Sequence, residues 1–148
     1  MITVKHTVTI NRPIEEVFAF MADVENLSAW AENTIEAKQT SEGPVETGTT
    51  CTVVNKAMGR EMLHHFVVTE YVPYTRYAAK STDGPFPMHM SYTLESSEGG
   101  TIVHTVSEAD LSGMLKLAEP VLRGLARKQI AADHKRLKAM LESPTASS

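Results

Sequence analysis

From about Thr34 to Leu111 the sequence carries strand after strand and nothing that reads as a helix. "TTCTVVNKAMG" and "REMLHHFVVTEYVP" meet near Gly59, and "MHMSYTLESSEGGTIVHTVSEADL" folds back on itself around Gly99-Gly100. Between them, "TRYAAKSTDGPFP" holds one more strand that stops at Asp83-Gly84-Pro85, and "SEGPVETG" is a turn region bracketed by glycines. Strands joined at hairpin distance pair antiparallel, because a parallel partner needs a crossover of roughly a dozen residues or more. A sheet of this kind has an apolar face that something else must cover.

Only the C-terminal segment is long enough to cover it. From Met114 to Leu141 an apolar stripe runs through Leu115, Ala118, Leu122, Leu125, Ala126, Ile130, Leu137 and Leu141, with Arg123, Arg127, Lys128, Lys135, Arg136 and Lys138 around it. Pro120 inside that stripe either kinks the helix or marks its true start. At the other end of the chain, "ITVKHTVTI" reads as a strand that alternates Ile2 and Val4 and then, after a slip, Val8 and Ile10. "RPIEEVFAFMADVENLSAW" follows. Pro13 opens a helix with Glu15 and Glu16 in its first turn, Ile14, Val17, Phe18 and Met21 form its buried face, and Asp23 caps a second short helix. Val24, Leu27 and the single tryptophan, Trp30, continue an apolar face there.

The order is strand, two short helices, about six strands and a long helix: an α+β fold around a curved antiparallel sheet of about seven strands. One helix does not fill the concavity of such a sheet, so a cavity is expected, with the short helices closing one end. The 148 residues fit a single domain over 1–142, followed by a small polar tail at 143–148 expected to be flexible. A hydrophobic content of 42% and a charged content of 22% are those of an ordinary globular protein. A net charge of −4 argues against nucleic acid as a partner. One cysteine, Cys51, permits no disulfide framework within the chain, and a reducing cytoplasm is the expected location. No apolar run is long enough to give stable membrane insertion. Monomer and homodimer both remain open.

In its punctuation the chain resembles the START-like or SRPBCC superfamily, the helix-grip fold, and within it the polyketide cyclase/dehydrase and lipid transport branch. The stretches that carry the resemblance are "TINRPIEEVFAFMADVENLSAW", "GPVETGTTCTVV", "VVTEYVPYTRYAAKS" and "EPVLRGLARKQIAADHKRLKAMLE". The resemblance implies a deep, largely apolar pocket between sheet and closing helix that takes a lipid, a polyketide or an aromatic metabolite. It does not choose between carrier and enzyme. Binding or transport of a small hydrophobic or amphipathic ligand is the leading expectation. A cofactor-independent cyclase or dehydratase using a pocket histidine is the second, and a protein-interaction module of chaperone-activator type the third.

Individual residues sharpen this. Trp30 either plugs the seam of helix and sheet or borders the pocket entrance. Met88, Met90, Tyr92 and Leu94 share a strand face expected to line the cavity, which leaves His89 outside. Met62, His64, Phe66 and Val68 share a face with Glu70, and Leu63, His65, Val67 and Tyr71 the other; the first is the more apolar in its middle, which favours His64 as the inward histidine, and a bulge would reverse the choice. His104 stands with Ile102 and Val106 opposite Val103 and Thr105. The expected ligand-binding residues are Trp30, His64, Phe66, Met90, Tyr92, His104, Leu122 and Leu125, with His64 and His104 as the candidates for acid/base catalysis. His64, His89 and His104 lie on separate strands, but His89 has the opposite parity and no carboxylate or cysteine stands at ligand spacing, so neither metal nor cofactor is expected.

Overall fold

The computed structural model describes residues 2–57, 59–84, 86–110 and 117–143. Seven strands make one antiparallel sheet: β1 (Ile2–Ile10), β2 (Thr34–Gln39), β3 (Thr50–Ala57), β4 (Arg60–Val72), β5 (Arg76–Asp83), β6 (Met88–Ser97) and β7 (Gly100–Ala109). Their spatial order is β1-β7-β6-β5-β4-β3-β2, so the hairpin spacing of the sequence becomes a meander whose last strand closes onto the first. The sheet curls into a half-barrel. Between β1 and β2 lie α1 (Ile14–Ala22), a 3-10 turn (Val24–Asn26) and α2 (Leu27–Trp30), and α3 (Glu119–Glu142) follows the sheet. The expected α+β architecture is the observed one.

The short helices form for local reasons. Pro13 precedes the first turn of α1, where its missing N–H costs nothing, and Glu15 and Glu16 sit where the helix dipole favours anions. Asp23 ends α1 in an extended conformation and its carboxylate accepts the Glu25 N–H at 3.1 Å, which starts the 3-10 turn. Val17, Phe18, Met21, Val24 and Trp30 are buried together against the sheet. Pro120 lies in the first turn of α3 and marks its start rather than kinking it. The stretch 111–116, and with it the expected helical start at Met114 and the contribution of Leu115, falls outside the described residues.

α3 runs parallel to β1 and is tied to it along its second half. Lys138 Nζ donates to Thr9 O at 2.7 Å, the Asn11 N–H donates to Glu142 Oε2 at 2.9 Å, and the His134 ring meets His6 at 2.6 Å. Asp133 Oδ1 accepts the Glu32 N–H at 3.1 Å and so anchors the exit of α2.

Two glycines are dictated by close approach. A Cβ on Gly100 would run into Ile10 O, where the β6–β7 turn passes the end of β1. Gly84, at φ +149°, lies against the His64 ring, and a Cβ there would stand 2.6 Å from Nδ1. The β4–β5 turn instead places Tyr74 at φ 71°, a conformation rarely adopted by bulky residues, and its ring packs edge-on to Phe18 at 6.1 Å between centroids.

Candidate functional site

The inner face of the sheet is read strand by strand from its register. On β1, Ile2, Val4, His6, Val8 and Ile10 all turn inward, so the strand has no slip: His6 fills the place where the apolar alternation seemed to break. On β7, Thr101, Val103 and Thr105 are buried, which turns Ile102, His104 and Val106 outward. On β6, Met88, Met90, Tyr92 and Leu94 face in, as expected, with Tyr92 and Leu94 buried and the methionines half-buried, and His89 faces out beside Glu108 at 3.6 Å. On β4, His64, Phe66 and Val68 are buried. A register shift between Val68 and Glu70 places a bulge at Thr69, and beyond it Tyr71 pairs with Tyr77 and joins the same inner surface. The two alternative faces of this strand are therefore both inward, each on its own side of the bulge.

These registers line up one polar and aromatic row across five strands: His6 opposite Thr105, Thr105 opposite Tyr92, Tyr92 opposite Tyr77, and Tyr77 opposite Tyr71. Tyr92 and Tyr77 stack at 6.0 Å, and Trp30 leans on Tyr92 at 6.1 Å. Burial raises the Tyr92 and Tyr77 hydroxyl pKa values well above the ordinary tyrosine value, so both stay protonated. The Tyr92 hydroxyl donates to the Met90 sulfur at 2.8 Å. At the end of the row, His134 of α3 inserts between His6 and Thr105: its Nδ1 is hydrogen-bonded to His6 Nδ1 at 2.6 Å, and its Nε2 meets Thr105 Oγ1 at 2.7 Å. Burial, and then the neighbouring His6, lower the His134 pKa to about 4.

His64 lies in a different setting. It is wholly buried, its ring is 5.8 Å from Phe66 and 5.5 Å from Phe86, and neither ring nitrogen has a hydrogen-bond partner among the described residues. Burial lowers its pKa, so the ring is neutral near pH 7, with one donor and one acceptor unused. The Trp30 indole N–H and the Thr69 hydroxyl are likewise buried without partners among the described residues. Among the described residues no Asp, Glu, Lys or Arg is buried. The interior therefore offers polar recognition and no countercharge.

Of the residues singled out from sequence, Trp30, His64, Phe66 and Tyr92 are buried on the interior side, and Met90 and Leu122 are half-buried. His104 stands on the outer face, where its Nε2 meets Glu95 at 2.9 Å and its Nδ1 meets Thr7 Oγ1 at 3.0 Å. Leu125 is 60% exposed and turns away from the sheet. Cys51 is buried beside Phe66, and desolvation raises its thiol pKa to about 11, which keeps it unreactive. No group of three or more His, Cys, Asp or Glu side chains converges among the described residues. His6 and His134 escaped the sequence reading, although a signal was there. Each occupies a gap in an apolar pattern, His6 between Val4 and Val8, His134 between Ile130 and Leu137, and the two gaps face each other.

A curled antiparallel sheet gripped by one long helix, with short helices after the first strand, defines a START-like protein. The chain belongs to the polyketide cyclase/dehydrase and lipid transport family, whose pattern matches residues 1–142. Solved structures share the fold at low identity. A START superfamily protein from Mycobacterium smegmatis is 13% identical with a TM-score of 0.81, over 95% of this chain and 97% of its own. A protein from Thermus thermophilus is 19% identical with a TM-score of 0.75, over 95% and 99%. The Zhui aromatase/cyclase from a Streptomyces species is 16% identical with a TM-score of 0.75, over 95% and 93%. No curated protein matches the chain. No helix among the described residues is long and apolar enough to cross a membrane.

Proposed function

We propose that the chain binds a small, uncharged, hydrophobic or amphipathic molecule between the curled sheet and α3. The observation that carries this reading is His64: a neutral imidazole buried in an apolar wall with both nitrogens unpaired. Leaving such a group unsatisfied costs about 1–3 kcal/mol, and a ligand hydroxyl or carbonyl recovers it. The buried Trp30 N–H asks for an acceptor in the same way. With no charged side chain buried to balance it, a carboxylate or phosphate is a poor fit inside, whereas aromatic rings match the Tyr92–Tyr77 stack. Gly84 and Phe86, which cover His64, are the contacts a ligand displaces.

The test is native mass spectrometry of the chain purified from its own cells, beside His64→Leu purified identically. A co-purifying neutral molecule that is lost or depleted in the variant supports the reading. A wild-type protein that carries nothing, and takes up no molecule from a lipid and aromatic extract of those cells, sinks it. A second reading makes the same histidine a general base in a cyclase or dehydratase, since its lowered pKa keeps the imidazole unprotonated near neutral pH. Under that reading His64→Leu abolishes conversion of the isolated ligand, and the wild type releases it altered. His104 enters neither reading, because both of its nitrogens are engaged on the outer face.

A further inference from the structure

We propose that the outward face of α3 is a docking surface for an anionic lipid bilayer. His134, Leu137 and Leu141 are the buried side of this helix. At 3.6 residues per turn, Val121 and Leu125 fall on roughly the opposite side. They are 66% and 60% exposed, and Leu117, just before the helix, is 97% exposed. Exposed Lys128 and Lys135 continue the same outward face, with Arg136 at its flank. Between Val121 and Met140 the helix carries six cations and one acid, in a chain whose net charge is −4. The acid, Asp133, is turned to the Glu32 N–H and to Gln129. Arg123, Arg127, Lys128 and Lys135 have no ion pair among the described residues.

An apolar stripe that leads into unpaired cations, on the side of a helix the fold does not use, matches a helix lying in a membrane interface. The helix is also placed to reach one. Counting back from the His134–His6 contact, about 22 Å of α3 precede His134 but only about 13 Å of β1 precede His6, so the first turns of α3 run past the start of β1. The charges favour lipid over a second copy of the chain. Pairing α3 with α3 would bring Lys128 and Lys135 of both copies into one seam with no acid on that face between them. The inference is independent of the ligand reading, since the surface is complete with the interior empty.

The experiment uses the full chain with vesicles of phosphatidylcholine alone or with added phosphatidylglycerol, followed by co-sedimentation at low and high salt. The expected result is retention by the phosphatidylglycerol vesicles only, lost at high salt. Val121→Glu combined with Leu125→Glu, and separately Lys128→Glu combined with Lys135→Glu, each lower the partition coefficient roughly tenfold or more. Both variants keep the wild-type Tm, because these side chains touch solvent. No retention at low salt, equal retention by phosphatidylcholine alone, or variants that bind like wild type would overturn the proposal. So would a dimer in sedimentation velocity that Val121→Glu dissolves, which would assign the face to a second copy.

Discussion

Two histidines are buried in this protein, and they are opposites. His134 has a partner on each ring nitrogen, His6 on one side and Thr105 on the other. His64 has none on either among the described residues. Both lie on the inner side of the half-barrel, and burial pushes both pKa values down. The first ties the closing helix to β1 and β7, and its hydrogen bonds repay its desolvation. The second ties nothing together, so its desolvation is a standing cost to the fold. A polar group kept at such a cost in an otherwise apolar wall points to an occupant from outside the chain. The difference teaches that burial alone does not separate a structural histidine from a recognition histidine; satisfaction of the ring nitrogens does.

The comparison breaks most visibly at His134. Replacing it by alanine leaves the Thr105 hydroxyl and the His6 ring facing a cavity, and the expected loss is about 3–4 kcal/mol in urea unfolding. A loss below about 1 kcal/mol would mean the pair does not hold α3 down. A smaller effect follows from acid alone. The His134 pKa falls from 6.5 to about 4 on folding, so the unfolded chain binds the extra proton. Its stabilisation is complete above pH 6.5 and is lost as pH falls towards 4, by about 3 kcal/mol at most. His64 adds loss in the same direction. Unfolding free energies measured from pH 7.5 downward in wild type and His134→Gln isolate the contribution, and a wild-type slope no steeper than the variant's would reject it.

The fold was legible because its signals are periodic and redundant. Hairpin glycines, the Pro13 start, the Asp23 cap and the stripe ending at Leu137 and Leu141 each point to one arrangement. The site was legible only in part, because a single strand's alternation does not say which of two mixed faces is inward. For β4 the answer turned on a bulge at Thr69, which no residue type announces. For β7, Ile102 and Val106 made the outer face look as apolar as the inner one, and His104 went with them. For β1, the polar residue in an inner position passed for an irregularity, when its partner stood in the matching gap of α3. Leu125 belongs to an apolar pattern that is broad enough to include the outward side of the helix, where no packing partner selects.

The smallest effect has the opposite sign and decides the comparison. His64→Leu removes two unpaired nitrogens and keeps a side chain of similar size between Phe66 and Phe86. If nothing in the protein satisfies His64, the variant gains about 1 kcal/mol in urea unfolding of ligand-free protein. The same substitution weakens uptake of the neutral ligand, so stability and binding move in opposite directions. A destabilised variant would mean the ring holds a hydrogen bond in the ligand-free fold, and His64 would then join His134 as a structural residue. A stabilised variant that binds normally would leave the cost of burying His64 real and its recipient elsewhere. A gain in stability alone separates His64 from the structural His134, because removing a structural histidine cannot stabilise the fold it holds together; only the gain together with a loss of binding makes His64 the recognition residue for the neutral ligand.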